Sequence, residues 1–139
     1  MSFREKSAWI TLVSVLLCFG VYFGTVAPRW LQGDARTNMW LLVSCVHVFV
    51  LLQIGLQLAA YWTTPKDGRS PRDERERMIQ ARSHTIGYYL LAVLVLGLGV
   101  PMHLGHVQPP QLMTIALLDL VIAALVVSIA QIVMFRRGF

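Results

Sequence analysis

The chain has 139 residues, 56% of them hydrophobic and only 14% charged, with a mean hydropathy of +0.61. An average soluble domain carries about 25% charge, so a water-soluble enzyme or binding module is excluded, and the length suits one unit over residues 1–139 rather than two. The net charge of +5 does not mark nucleic-acid binding, because the cations cluster between apolar runs instead of along an aromatic-bearing face.

A membrane span takes about 20 apolar residues. The first uncharged run lies between Lys6 and Arg29 and predicts a helix over residues 7–27. Its basic start and the Thr25-Val26-Ala27 stretch resemble a cleaved signal peptide, but a signal core is about 7–15 apolar residues, so a retained helix is expected. The second run, between Arg36 and Lys66, predicts a helix over 39–62. It carries His47, with Gln53 and Gln57 one turn apart and read as hydrogen-bonding glue between helices. Cys18 and Cys45 lie inside these two spans without CxxC spacing and read as small packing residues.

The loop over 63–83 is the most charged part of the chain. Ser70-Pro71-Arg72-Asp73 reads as a helix start, with Ser70 as cap, Pro71 in the first position and Asp73 closing a capping box. Asp73, Glu74 and Glu76 then sit at the positive end of the helix dipole, and Asp73 with Arg77 forms an i,i+4 pair. The third helix is therefore expected to begin near Pro71, outside the membrane, and to continue into a span over 84–104. Thirteen residues of extension would reach about 20 Å. Arg72, Arg75, Arg77 and Arg82 on it are candidate contacts for a protein partner or for anionic lipid.

Between Ser83 and Phe135 there are 53 residues and a single formal charge, Asp119. Gly97, Gly99 and Pro101 predict a kink or an ending in the outer part of helix three. His103 and His106 follow at i,i+3 spacing. They form at most a weak metal or proton site, since a closed zinc site needs four ligands. A haem between His47 and His103 is disfavoured because the two differ in depth by about 8 Å. The fourth span is expected over 112–135. Ala116, Asp119, Ala123 and Ala130 recur there at helical spacing as a small-residue stripe suited to close packing.

The Lys/Arg distribution sets an orientation. Ten of the twelve basic residues lie in the N-terminal tail, the 63–83 loop and the C-terminal tail, while only Arg29 and Arg36 lie on the other side. Both termini are therefore expected in the cytoplasm. Trp9, Trp30, Trp40, Tyr61 and Trp62 fall near predicted span ends, where aromatic rings sit at headgroup depth. The fold class is an all-α membrane protein, a four-helix up-down bundle with its third helix extended.

The run Asp73-Glu74-Arg75-Glu76, followed by Ile79 and Gly87-Tyr88-Tyr89, together with the opening Ser2-Phe3-Arg4-Glu5-Lys6-Ser7-Ala8-Trp9, resembles small uncharacterised prokaryotic four-helix membrane proteins. The resemblance implies a bacterial inner-membrane protein without an established activity, some of whose relatives look like partners of small DNA-binding regulators.

Asp119 is the sharpest functional candidate. A charged side chain at the bilayer centre costs about 2.5–3.5 kcal/mol on insertion scales, so it is expected to face protein or water. At 1.5 Å per residue His47 lies about 12 Å deep and Asp119 about 10 Å from the same side, so the two form a candidate intramembrane pair. No nucleophile–base arrangement, phosphate loop or dinucleotide motif is present. No cofactor is expected, and a membrane redox enzyme ranks last. With no polar stripe evident along any span, the first expectation is a non-enzymatic accessory or regulatory subunit using the charged 66–82 segment. The alternative is a small oligomeric transporter or ion pathway using Asp119 and His47.

Overall fold

A computed structural model describes residues 3–31, 39–64, 73–105 and 109–137. Four helices account for nearly all of them: α1 (Phe3–Leu31), α2 (Met39–Thr63), α3 (Glu74–His103) and α4 (Pro109–Arg137). Each is long and apolar enough to cross a membrane, which makes this a multi-pass membrane protein. A lipid-facing backbone has no water to bond, and a helix closes its own amide bonds within the segment.

The helices alternate up and down. Gln53 and Gln57 of α2 meet Thr11 and Ser7 of α1 in reverse order. Val121 of α4 packs with Val15, Cys18 and Phe19, while Arg136 reaches back over the Trp9 ring. Ser83 and Gly87 of α3 face Gln131 and Val127 of α4. The packing order is α2 on α1, α1 on α4 and α4 on α3. Helices α2 and α3 share no comparable interface among the described residues, so the four-helix ring is left open on that side. Burial follows the same order. In the most apolar stretch of each helix, 33% of α1 and 28% of α4 is buried, against 11% of α2 and 6% of α3.

Among the described residues, two core clusters are strung along α1. One is Val15, Cys18, Phe19 and Val121, with Phe19 tilted against Phe49 at 5.4 Å between ring centroids. The other is Tyr22, Val26 and Leu42. Gly87 permits the close approach of α3 to α4: a β-carbon there would collide with the Val127 side chain.

Helix α3 begins later than its capping box predicts. Asp73 is the N-cap, extended at φ −66° and ψ 150°, and its Oδ1 accepts from the Glu74 amide at 2.7 Å. Aspartate caps well by itself because its carboxylate satisfies an amide of the open first turn. Ser70, Pro71 and Arg72 lie outside the described residues. The expected Asp73–Arg77 ion pair does not form, since the Asp73 side chain is used as the cap. Glu76 instead pairs with Arg4 at 2.7 Å.

At its other end α3 passes through Pro101 and stops at His103. Gly105 follows at φ 71°, donating its amide to the Met102 carbonyl at 3.1 Å, a left-handed helix ending of the kind glycine favours. Among the described residues nothing lies within contact of a β-carbon at Gly97 or Gly99, so neither serves close packing there. Trp40 and Trp62 are 82% and 77% exposed at the ends of α2, where an interfacial ring belongs. Trp9 differs, held under the Arg136 guanidinium at 5.5 Å, because α4 ends beside it.

Candidate functional site

Asp119 is only 6% exposed. Its Oδ2 is buried and has no hydrogen-bond partner. The backbone of α4 carries it inward on the same side as Ala123, also buried, whereas Ala116 is exposed and Ala130 half-buried. The predicted small-residue stripe is therefore interior over Asp119 and Ala123 only.

His47 does not join Asp119. Both lie at the level of the cluster around Phe19, as expected from their depths, since Val46, Leu117 and Val121 all pack there. But His47 is exposed, and its Nδ1 sits 2.8 Å from the Val43 carbonyl of its own helix. The intervening reason is α1, which packs against both α2 and α4 and separates their faces. His103 is exposed on the last turn of α3, and His106 lies outside the described residues. Among the described residues no three His, Cys, Asp or Glu side chains gather where a metal ion would sit. Cys18 and Cys45 are free thiols lining one apolar pocket of about 380 Å³ between α1 and α2. Cys18 belongs to the core and Cys45 packs beside Tyr22 and Leu42, in keeping with a packing role.

The absence of a polar stripe is overturned. Ser7, Thr11, Ser14, Cys18 and Tyr22 recur every three or four residues along α1, and the last three are buried. Gln57 donates to Ser7 Oγ at 2.8 Å, Gln53 donates to Thr11 Oγ1 at 2.7 Å, and the Tyr22 and Thr114 hydroxyls face each other at 3.5 Å. Gln131 of α4 donates to Ser83 Oγ of α3 at 3.1 Å. Gln53 and Gln57 thus act as the interhelical glue their spacing predicts. The matching hydroxyls on α1 are single small residues among apolar ones, and they show as a stripe only once α1 is known to lie at the centre.

Ser7, Thr11 and Gln131 of these border a cleft of about 690 Å³ between α1, α3 and α4. Ser7, Thr11, Gln80, His84 and Gln131 line its polar part, and Leu91, Leu120, Ala124 and Val127 its apolar part. A smaller pocket of about 250 Å³ shares Ser7, Gln80 and Gln131 and continues to Arg4 and Glu76 at the end of the bundle that holds both termini. Sequence reasoning missed Gln80, which read as part of the extension, and His84, which read as the start of a span; their spacing of four residues was the available sign.

At that same end the α3 extension is braced. Arg4 holds Glu76, and Glu5 lies 3.9 Å from Arg136. Arg75, Arg77 and Arg82 are exposed on the extension, and Arg72 lies outside the described residues. The geometry offers a charged rim, a buried carboxylate and a partly polar cleft. No family model, no curated protein and no solved structure matches the chain.

Proposed function

We propose that the chain is a non-catalytic accessory or regulatory protein of the bacterial inner membrane, with both termini in the cytoplasm, that receives a protein partner on the charged 66–82 segment. The observation that carries this reading is the bracing of the α3 extension. Glu76 is tied to Arg4 and Ser83 to Gln131, so the first turns of α3 are fixed to α1 and α4 while Arg77 and Arg82 remain exposed. A rigid scaffold lowers the ordering cost of binding. The ten-to-two distribution of basic residues supports the orientation. Reversing both charges (Arg77→Glu with Arg82→Glu) is expected to abolish cross-linking to a cytoplasmic partner in intact cells, with expression and melting unchanged. Undiminished cross-linking removes the reading.

A second reading rests on a different observation, the unpartnered buried Oδ2 of Asp119. Intramembrane acids mark ion and proton pathways. Four helices enclose little volume, so a pathway would run between copies of the chain. His47, being exposed, would face lipid or a second copy and not Asp119. In proteoliposomes Asp119→Asn is expected to eliminate pH-dependent flux while the fold persists; flux equal to wild type dismisses the pathway.

A further inference from the structure

The cleft between α1, α3 and α4 has a polarity gradient along its length. Gln80 and His84 lie toward the end that holds both termini, and Leu91 lies deeper. The eleven helical steps from Gln80 to Leu91 span about 16 Å. Beyond His84 the lining turns mainly apolar, with Leu91, Leu120, Ala124 and Val127, beside Tyr88 and a Ser128 whose hydroxyl is spent on the Ala124 carbonyl. Such a volume lies within the roughly 300–1,000 Å³ of small-molecule sites.

The polar part has hydrogen-bonding capacity that the protein leaves unused. Ser7 and Thr11 each accept from a glutamine of α2, and their hydroxyl protons have no acceptor among the described residues. Gln131 spends its amide N–H on Ser83, which leaves its carbonyl oxygen to accept. The Gln80 side-chain amide and the His84 ring make no hydrogen bond among the described residues. Ser7, Thr11, Gln80 and Gln131 are half-buried, and a ligand with hydroxyl and carbonyl groups would meet these donors and acceptors.

Charge selects further. No formally charged side chain lines the cleft, and where it continues to Arg4, that cation is already held by Glu76 at 2.7 Å. An ionic head would arrive without a free counter-charge among the residues that line the cleft. Access is lateral. Ser7 and Thr11 touch α2 and the cleft at once, so the cleft borders the side where α2 and α3 do not pack together.

We propose that this cleft is a binding site for a neutral amphiphile. Its uncharged hydroxyl- and carbonyl-bearing head sits against Ser7, Thr11, Gln80, His84 and Gln131. Its single apolar chain lies along Leu91, Leu120, Ala124 and Val127, and it enters from the bilayer between α2 and α3. The site does not depend on the charged rim, so either proposal can fail without the other.

Three probes with the same oleoyl chain separate the head chemistries: monooleoylglycerol, lyso-oleoylphosphatidylethanolamine and oleate. The full chain is placed in phosphatidylcholine nanodiscs, titrated with each probe and read by native mass spectrometry. Saturable binding of one monooleoylglycerol per chain is expected, about tenfold tighter than the zwitterionic or anionic probe. Thr11→Val and Gln80→Leu should each weaken it by roughly three- to tenfold, the worth of one hydrogen bond. Leu96→Ala, on the exposed face of α3 and outside the cleft, should leave it unchanged. Thermal melting of each variant without probe reports its folding, and His84→Leu provides a further cleft variant if Gln80→Leu fails to fold. Equal binding of all three heads, uptake that never saturates, or undiminished binding by the folded cleft variants overturns the proposal.

Discussion

Two glycines in α3 behave oppositely, and their surroundings decide how. A β-carbon on Gly87 meets the Val127 side chain, whereas one on Gly97 meets nothing among the described residues. Valine is stiff at χ1, so the collision at Gly87 is relieved only by moving α3 away from α4. Gly87→Ala is expected to cost about 1–3 kcal/mol, the range for overpacking a close contact. Gly97→Ala is expected to gain about 0.5–1 kcal/mol, because alanine gives up less backbone freedom in a helix. Thermal unfolding of the two variants in one detergent checks both signs, and a destabilised Gly97→Ala would mean that another surface covers that face. Asp119 makes a second case. Its Oδ2 has no hydrogen bond to lose, so Asp119→Leu is expected to hold or raise the melting temperature. A clear drop would reveal a partner for the carboxylate.

The contact between α1 and α2 is a ladder of two side-chain bonds, Gln53 to Thr11 and Gln57 to Ser7, above an aromatic contact between Phe3 and Tyr61 at 6.1 Å. Lipid is as apolar as a leucine side chain, so burial contributes little to helix association and packing and hydrogen bonds carry more of it. Even so, such bonds average only about 0.6 kcal/mol each. A double-mutant cycle on Gln53→Leu and Thr11→Val is expected to return a coupling of about that size. A coupling of zero would mean that the two side chains do not meet in the membrane. The glutamine spacing on α2 was legible from the sequence because two amides one turn apart interrupt an apolar run. The late start of α3 was not, because Ser70 and Asp73 both have cap chemistry and local sequence does not rank them.

At the scale of the molecule the telling feature is the interface that is missing. A closed up-down bundle brings α2 against α3; here α1 and α4 form the centre and α2 and α3 lie outside. Cysteines introduced at Val15 and Val121, which share one cluster, are expected to cross-link within a chain in a background lacking Cys18 and Cys45. A scan of α2 from Leu51 to Leu58 against α3 from Ile86 to Val93 is expected to give no cross-link within a chain. Efficient linking in that scan would show that the bundle closes.

The membrane class, the four helices and the inward setting of Asp119 were readable from residue order, because a span announces itself by the length of its uncharged run and an isolated acid there must turn from lipid. Depth was readable too, since each residue adds a fixed rise, and the residues around His47 and Asp119 pack at one level of the bundle. Their separation was decided by tertiary structure, because which helix stands between two others depends on packing across the whole chain. The same holds for the hydroxyl stripe of α1 and for the pairing of Glu76 with Arg4 in place of Arg77 with Asp73. Each depends on a neighbour far away in sequence, and the local pattern carries no record of it.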